Sequence, residues 1–343
     1  MFKHLGRASV ATAVVVGTLV LPACGGTSSF SPVPRLHGQN AARNPLSEEA
    51  ATACVSTSCV YVTNRNVNLV TVYAKGANGN VAPLKSISGS NTQLNDPVGI
   101  FVDSSRRIHV TNFSGNSVTA YAAGANGNVA PISTLSGLLT DLNGPDDIIM
   151  DAGGKSYVAN WNANALAVFA AGASGDVAPI RLILGTKSGL GSPVGIALDA
   201  SHDLYAANNS ISTITVYGPG ANGNVRPIRT ISGSNTQLSG PAGLTLDSSG
   251  NIYVTNYTTN SVTEYAAGSN GNVAPIRAIA GSKTGLNIPV AIALDASHKI
   301  YVANGTGTSV TVFGSSANGN VAPIRTIIGS NTKLSSPGGI ALR

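Results

Sequence analysis

Charge is scarce in this chain. Only 10% of its 343 residues are charged, too few for a disordered polymer, which combines high charge with few apolar groups. Lys and Arg (20) outnumber Asp and Glu (14), but the basic residues are dispersed. A nucleic-acid footprint needs them clustered on one face, so nucleic acid is not an expected partner. There are three cysteines and five histidines. That excludes a disulfide-dense scaffold and the paired spacings of structural zinc. The sequence holds no GxSxG, Walker A, HExxH or EF-hand loop. Past residue 24, no window of about eleven residues keeps a helical period. Aromatics make up 5%, with a single Trp.

The chain does contain a repeat. GANGNVAP (76–83) returns as GANGNVAP (124–131), GASGDVAP (172–179), GANGNVRP (220–227), GSNGNVAP (268–275) and SANGNVAP (316–323), always 48 residues apart. A period of this size marks a solenoid, propeller or array. Each unit carries four apolar runs, here called a (as in PVGIALD, 193–199), b (IYVAN, 300–304), c (SVTVF, 309–313) and d (APIRTII, 322–328). They are short, rich in Val, Ile, Thr and Tyr, and bounded by Gly, Asn, Asp, Ser and Pro, which is the strand signal. DSSG (247–250) between a and b suits a tight turn, and ANGN between c and d suits a hairpin. The predicted fold class is all-β: a six-bladed β-propeller of four-stranded blades. Solenoid coils, the alternative, are usually shorter and rarely carry two hairpins per repeat. The first unit starts at run b, and PGGIALR (337–343) is an unpaired run a. The C-terminal strand is therefore expected to join blade one and close the ring. ATACV (51–55) keeps the same step but lacks the Pro-x-Gly-Ile pattern.

Residues 1–24 have a basic start (Lys3, Arg7), an apolar core ATAVVVGTLVL and a small-residue end, the pattern of a secretory signal peptide. Leu21–Cys24 is similar to a bacterial lipobox, with Pro22 as a departure. That similarity implies lipidation of Cys24 and a lipid-anchored, exported protein of the bacterial cell envelope; cleavage near Ala23 is the other reading. Residues 25–50 are rich in Gly, Ser and Pro and read as a flexible tether. The propeller domain takes 51–343. In an exported chain Cys54 and Cys59 are candidates for a disulfide, with free thiols as the alternative.

PVGIALDASHDLYAAN (193–208) and PAGLTLDSSGNIYVTN (241–256) resemble the NHL and YVTN classes of propeller repeat. The resemblance covers 60–343 and implies the architecture. It leaves activity open, because such propellers include sensor domains, protein-binding scaffolds, lyases and lactonases.

Residues that recur in most or all units suit a scaffold. These include the Asp after run a (103, 151, 199, 247, 295), the Asn ending run b (64, 112, 160, 208, 256, 304), and Arg181, Arg229, Arg277 and Arg325, which guard the edge strand. His109 stands where other units have Tyr, and His202 and His298 fall in turns. Function is expected where the units differ, on the loops at one channel mouth. After the repeated Asn come Arg65, Phe113, Trp161, Asn209, Tyr257 and Gly305. Where five units place small or apolar pairs, one has Asp146-Asp147. The candidate binding residues are Arg65, Phe113, Asp146, Asp147, Trp161 and Tyr257, offered to a peptide, glycan or protein partner. No catalytic residue or cofactor is predicted. The alternative is a lactonase-like or streptogramin-lyase-like enzyme with a divalent cation at the mouth. The resemblance implies His, Glu and Arg there, yet Glu264 is the one Glu of the propeller.

Overall fold

The computed structural model describes residues 58–343. The leader, the tether, Cys24 and Cys54 lie outside the described residues. The described chain forms six four-stranded antiparallel sheets arranged as the blades of a β-propeller. Blade one takes its strand a (Pro337–Leu342) from the C-terminus and b (Cys59–Asn64), c (Leu69–Ala74) and d (Lys85–Ile87) from the start. The expected closure is found, with Val60 opposite Leu342 and Val62 opposite Ile340. Cys59, at the start of this closing pair, is disulfide-bonded.

The core is divided. Six clusters of buried apolar side chains occur, one at each junction between neighbouring blades. At four of the six blades the innermost strands approach so closely that glycine stands at the contact. A Cβ on Gly99 would stand 2.5 Å from the Asp146 carbonyl oxygen, and one on Gly195 2.4 Å from that of Ala242. The repeated Asn ties the b–c turn to the d–a loop: Asn112 Oδ1 accepts Asn95 N–H (3.0 Å) while its Nδ2 donates to Thr119 Oγ1 (3.1 Å). Blade three departs from this pattern. Ala167 replaces the threonine, and Asn160 Nδ2 is buried without a partner among the described residues.

The octet is more than the hairpin that its Asn-Gly suggests. Residues 122–132 form a loop laid along strand d of the preceding blade. Gly127 donates to Ser86 O (2.6 Å), and Ser88 donates back to Gly127 O (3.2 Å). Asn126 and Asn128 accept the N–H groups of Ser86 and Asn91 at 2.9 and 2.8 Å. Every outer strand is capped in this way, and Gly79 of blade one reaches Thr326 of blade six (2.7 Å). The octets, not the arginines, thus cover the edges. The arginines fold inward over the tyrosines of strand b, as Arg229 does over Tyr205 (5.6 Å).

Arg277 instead binds Glu264 at 2.5 Å, whose side chain is 5% exposed. Removing one partner of a buried pair leaves an uncompensated charge. Arg277 is itself partly exposed, so Arg277→Leu is expected to cost about 2–3 kcal/mol in thermal or denaturant unfolding. Four other blades carry Val at the position of Glu264 (72, 168, 216 and 312). Glu264→Val combined with Arg277→Leu should recover most of that loss; equal destabilisation in the single and double variants would show that the pair is not its source.

Candidate functional site

All six a strands line a central channel of about 360 Å³. At one end it opens into a mouth of about 370 Å³. The floor of the mouth is one residue from each blade: Val98, Asp146, Val194, Ala242, Val290 and Gly338. Above it stand Arg65, Trp161, Asn209, Tyr257 and Gly305, five of the six residues that follow the repeated Asn. Trp161 and Tyr257 are exposed. Phe113, the sixth, lies behind this rim. Its ring packs against Trp161 with centroids 5.6 Å apart, and the Arg65 guanidinium lies 5.4 Å from its centre.

The two aspartates separate. They sit where the register between strands a and b shifts, between Pro145 and Ile148, but they do different work. Asp147 lines the channel. Its carboxylate accepts the N–H of Ile148 (2.8 Å) and of Ile196 in the next blade (3.0 Å), joining two strands where other blades have Gly or Ala. Burial still raises its carboxyl to about 6, against the pull of those two donors. Asp146 faces both mouth and channel and is 9% exposed. Among the described residues its carboxylate accepts no hydrogen bond. Burial raises its carboxyl to about 7; Arg65 opposes the shift, and Asp147 and Asp96 add to it.

Arg65 is bound elsewhere. Its Nε and Nη2 donate to the two oxygens of Asp96 at 2.8 and 3.0 Å. Burial pushes the Asp96 carboxyl up, but the Arg65 bonds and Ser114 outweigh it and leave it below the ordinary range. Asp96 belongs to a column that the sequence reading passed over: Asp96, Gly144, Ser192, Gly240, Ile288 and Ser336. All six have positive φ. Ile288, which lines the mouth, holds φ +53°, a costly conformation for a β-branched residue. The signal was available, since this column also varies at the 48-residue step.

His109 does not join Asp146 and Asp147. It lines a different cavity, between blades two and three, where its Nε2 meets Asp103 Oδ2 at 3.3 Å. Tyr157 and Tyr205 make the same contact with their own Asp at 3.3 Å. Burial holds the His109 imidazole below its usual value, outweighing the attraction of Asp103. The repeated Asp residues accept turn N–H groups, as Asp103 does from Arg107 (2.9 Å). Among the described residues no three His, Cys, Asp or Glu gather into a metal-binding group.

No protein-family model matches the chain, and no curated protein does. Solved structures share its shape. A catalytically inactive virginiamycin B lyase from Staphylococcus aureus, with quinupristin, is 14% identical over 76% of this chain and 82% of that one, with a TM-score of 0.54. A putative 6-phosphogluconolactonase from Bacteroides fragilis is 14% identical over 84% and 99%, with a TM-score of 0.56. A chain of a nidogen–laminin complex is 16% identical over 83% and 98%, with a TM-score of 0.59. At such identities the likeness shows the β-propeller fold alone.

Proposed function

We propose that this propeller is a binding module, of the NHL/YVTN repeat type, that captures a peptide, glycan or protein at the mouth formed by its b–c and d–a loops. One observation carries the reading: the cavity of about 370 Å³ is lined by the residues in which the repeats differ, Arg65, Asp146, Trp161 and Tyr257. An equal ring of six would suit a scaffold; one carboxylate and two exposed aromatics on an apolar floor suit a ligand. The signal-like leader and Cys24 support an exported, lipid-anchored module at the bacterial envelope. The nidogen–laminin complex is a precedent for a propeller of this shape in a protein assembly. The lyase and lactonase likenesses keep a hydrolase or lyase with a divalent cation as the alternative. It is the weaker one, because Arg65 is held by Asp96 and His109 lies in another cavity.

The test is capture from a displayed peptide library and a glycan array, using the full chain. Tyr257 is exposed and Trp161 packs mainly on Phe113, so Trp161→Ala with Tyr257→Ala should leave the fold intact and lower the melting temperature by only a few degrees. Capture should weaken about tenfold or more, as for aromatic anchors at other interfaces. Capture that survives simultaneous replacement of Phe113, Trp161 and Tyr257 would place the binding surface elsewhere.

A further inference from the structure

The floor of the mouth is apolar at four of its six positions and carries a carboxylate at one. We propose that the mouth binds an organic ammonium ion, with the Asp146 carboxylate as counter-ion and the Trp161 and Tyr257 rings against the apolar body of the ligand. This rests on the reading of the mouth as the binding face and adds the chemistry of what enters it.

Three observations converge. First, Asp146 is nine-tenths buried, faces the cavity and accepts no side-chain hydrogen bond among the described residues. A buried charge without donors is costly. An ammonium brings up to three N–H donors and the opposite charge. Second, no neighbouring cation is bonded to that charge. Arg65 attracts the Asp146 carboxylate across the mouth, but its Nε and Nη2 donors are both held by Asp96 in a two-pronged pair. Asp147 is satisfied by backbone N–H groups of Ile148 and Ile196. Among the described residues, the only other titratable group lining the mouth is Tyr257. The net charge of this set is therefore negative whenever Asp146 is ionised. Third, Val98, Val194, Ala242 and Val290 give the floor an apolar surface, and the aromatic faces above it attract cations. The volume lies near the lower end for ligand pockets, which suits a small amine or a single side chain. Primary amines, such as a chain N-terminus, a lysine or an amino sugar, share the positive charge with quaternary ammonium groups, which bring no N–H donor.

Trp161 is the only tryptophan in the chain, so its fluorescence reports on the mouth directly. The full chain would be titrated at pH 8 with n-hexylammonium and with N,N,N-trimethylhexylammonium, using hexanol and hexanoate as neutral and anionic controls. At least one ammonium should bind about tenfold or more tighter than hexanol, with hexanoate weakest. The tighter of the two identifies the source as a primary or a quaternary group. Asp146→Asn should erase the preference over hexanol. A proton competes for the same carboxylate, whose value is about 7, so affinity should fall about tenfold between pH 8 and pH 6. Hexanol binding as tightly as the ammonium ions, a preference for hexanoate, or an unchanged affinity in Asp146→Asn would each overturn the inference. Should no ammonium probe bind while peptide or glycan capture still depends on Trp161 and Tyr257, this inference fails and the binding-module reading stands. Loss of both ends both.

Discussion

Replacing Asp146 by asparagine is expected to stabilise the propeller by about 4 kcal/mol at pH 8 and by almost nothing at pH 4. The free carboxyl titrates near 3.8, and burial raises it to about 7 in the folded chain. Between those values the folded state keeps a proton that the unfolded state has released, so stability falls as pH rises. The contribution is fully present below about pH 4, is lost progressively up to about pH 7, and is constant above that. Three units at about 1.4 kcal/mol each give the total. Asparagine stays neutral throughout and removes this dependence. Asp147, raised to about 6 by burial, keeps a smaller slope of the same sign over about pH 4–6 in the variant. Roughly 2 °C per kcal/mol for a domain of this size gives a rise of about 8 °C at pH 8. Thermal melts from pH 4 to pH 8 check this; an equal change at both ends would refute the assignment. A carboxylate that weakens the fold and still occupies the floor of the mouth fits a residue kept for binding.

Deleting residues 337–343 should have the larger effect. Blade one would lose strand a, and with it the pairing of Val60 and Val62 and the buried Ile340. Burying one such side chain is worth about 2–3 kcal/mol, and a domain holds only about 5–15 kcal/mol in all. The truncated chain is expected to lose cooperative unfolding and to aggregate through the exposed edge of strand b. Ile340→Ala, a milder probe, should cost about 2–4 kcal/mol. A synthetic PGGIALR peptide added in trans should restore part of the loss, as strand addition does elsewhere. A truncated chain that melts like the intact one would mean that the closing strand is dispensable.

The fold was legible because each element of the repeat carries its own local signal. Short apolar runs bounded by turn residues, the Asp-bounded a–b turns and a constant step mark strands and count without any long-range information. Closure was legible for the same reason, since PGGIALR matches the other a strands. The octet was legible only in part. Asn-Gly gives the same local signal whether it closes a hairpin or docks on a neighbour, and Ser86, the partner of Gly127, lies in the preceding repeat. At the mouth, variation among repeats pointed to Arg65, Asp146, Trp161 and Tyr257. It could not distinguish Asp146 from Asp147, because their separation depends on a register shift and on Ile196 of the next blade. Nor could it place Phe113 behind the rim, which depends on Arg65 and Trp161 closing over it. Asp96 was missed because its role appears only once Arg65 is seen to reach it.

The octet loop has a consequence for how such a chain can change over time. Each copy grips only the blade before it, and does so through backbone groups plus an Asn or Asp acceptor common to nearly every copy. For this grip no blade needs a particular neighbour; pairs such as Arg65–Asp96 and Lys75–Asp295 are additions specific to one junction. A whole unit can be duplicated, lost or exchanged in frame, and the new junction inherits the same grip as the old ones. The ring is thus a set of interchangeable parts, while the mouth belongs to whichever copies happen to have diverged there. Selection can rewrite Asp146, Trp161 and Tyr257 one at a time, and the octet joints that hold the wheel together are untouched.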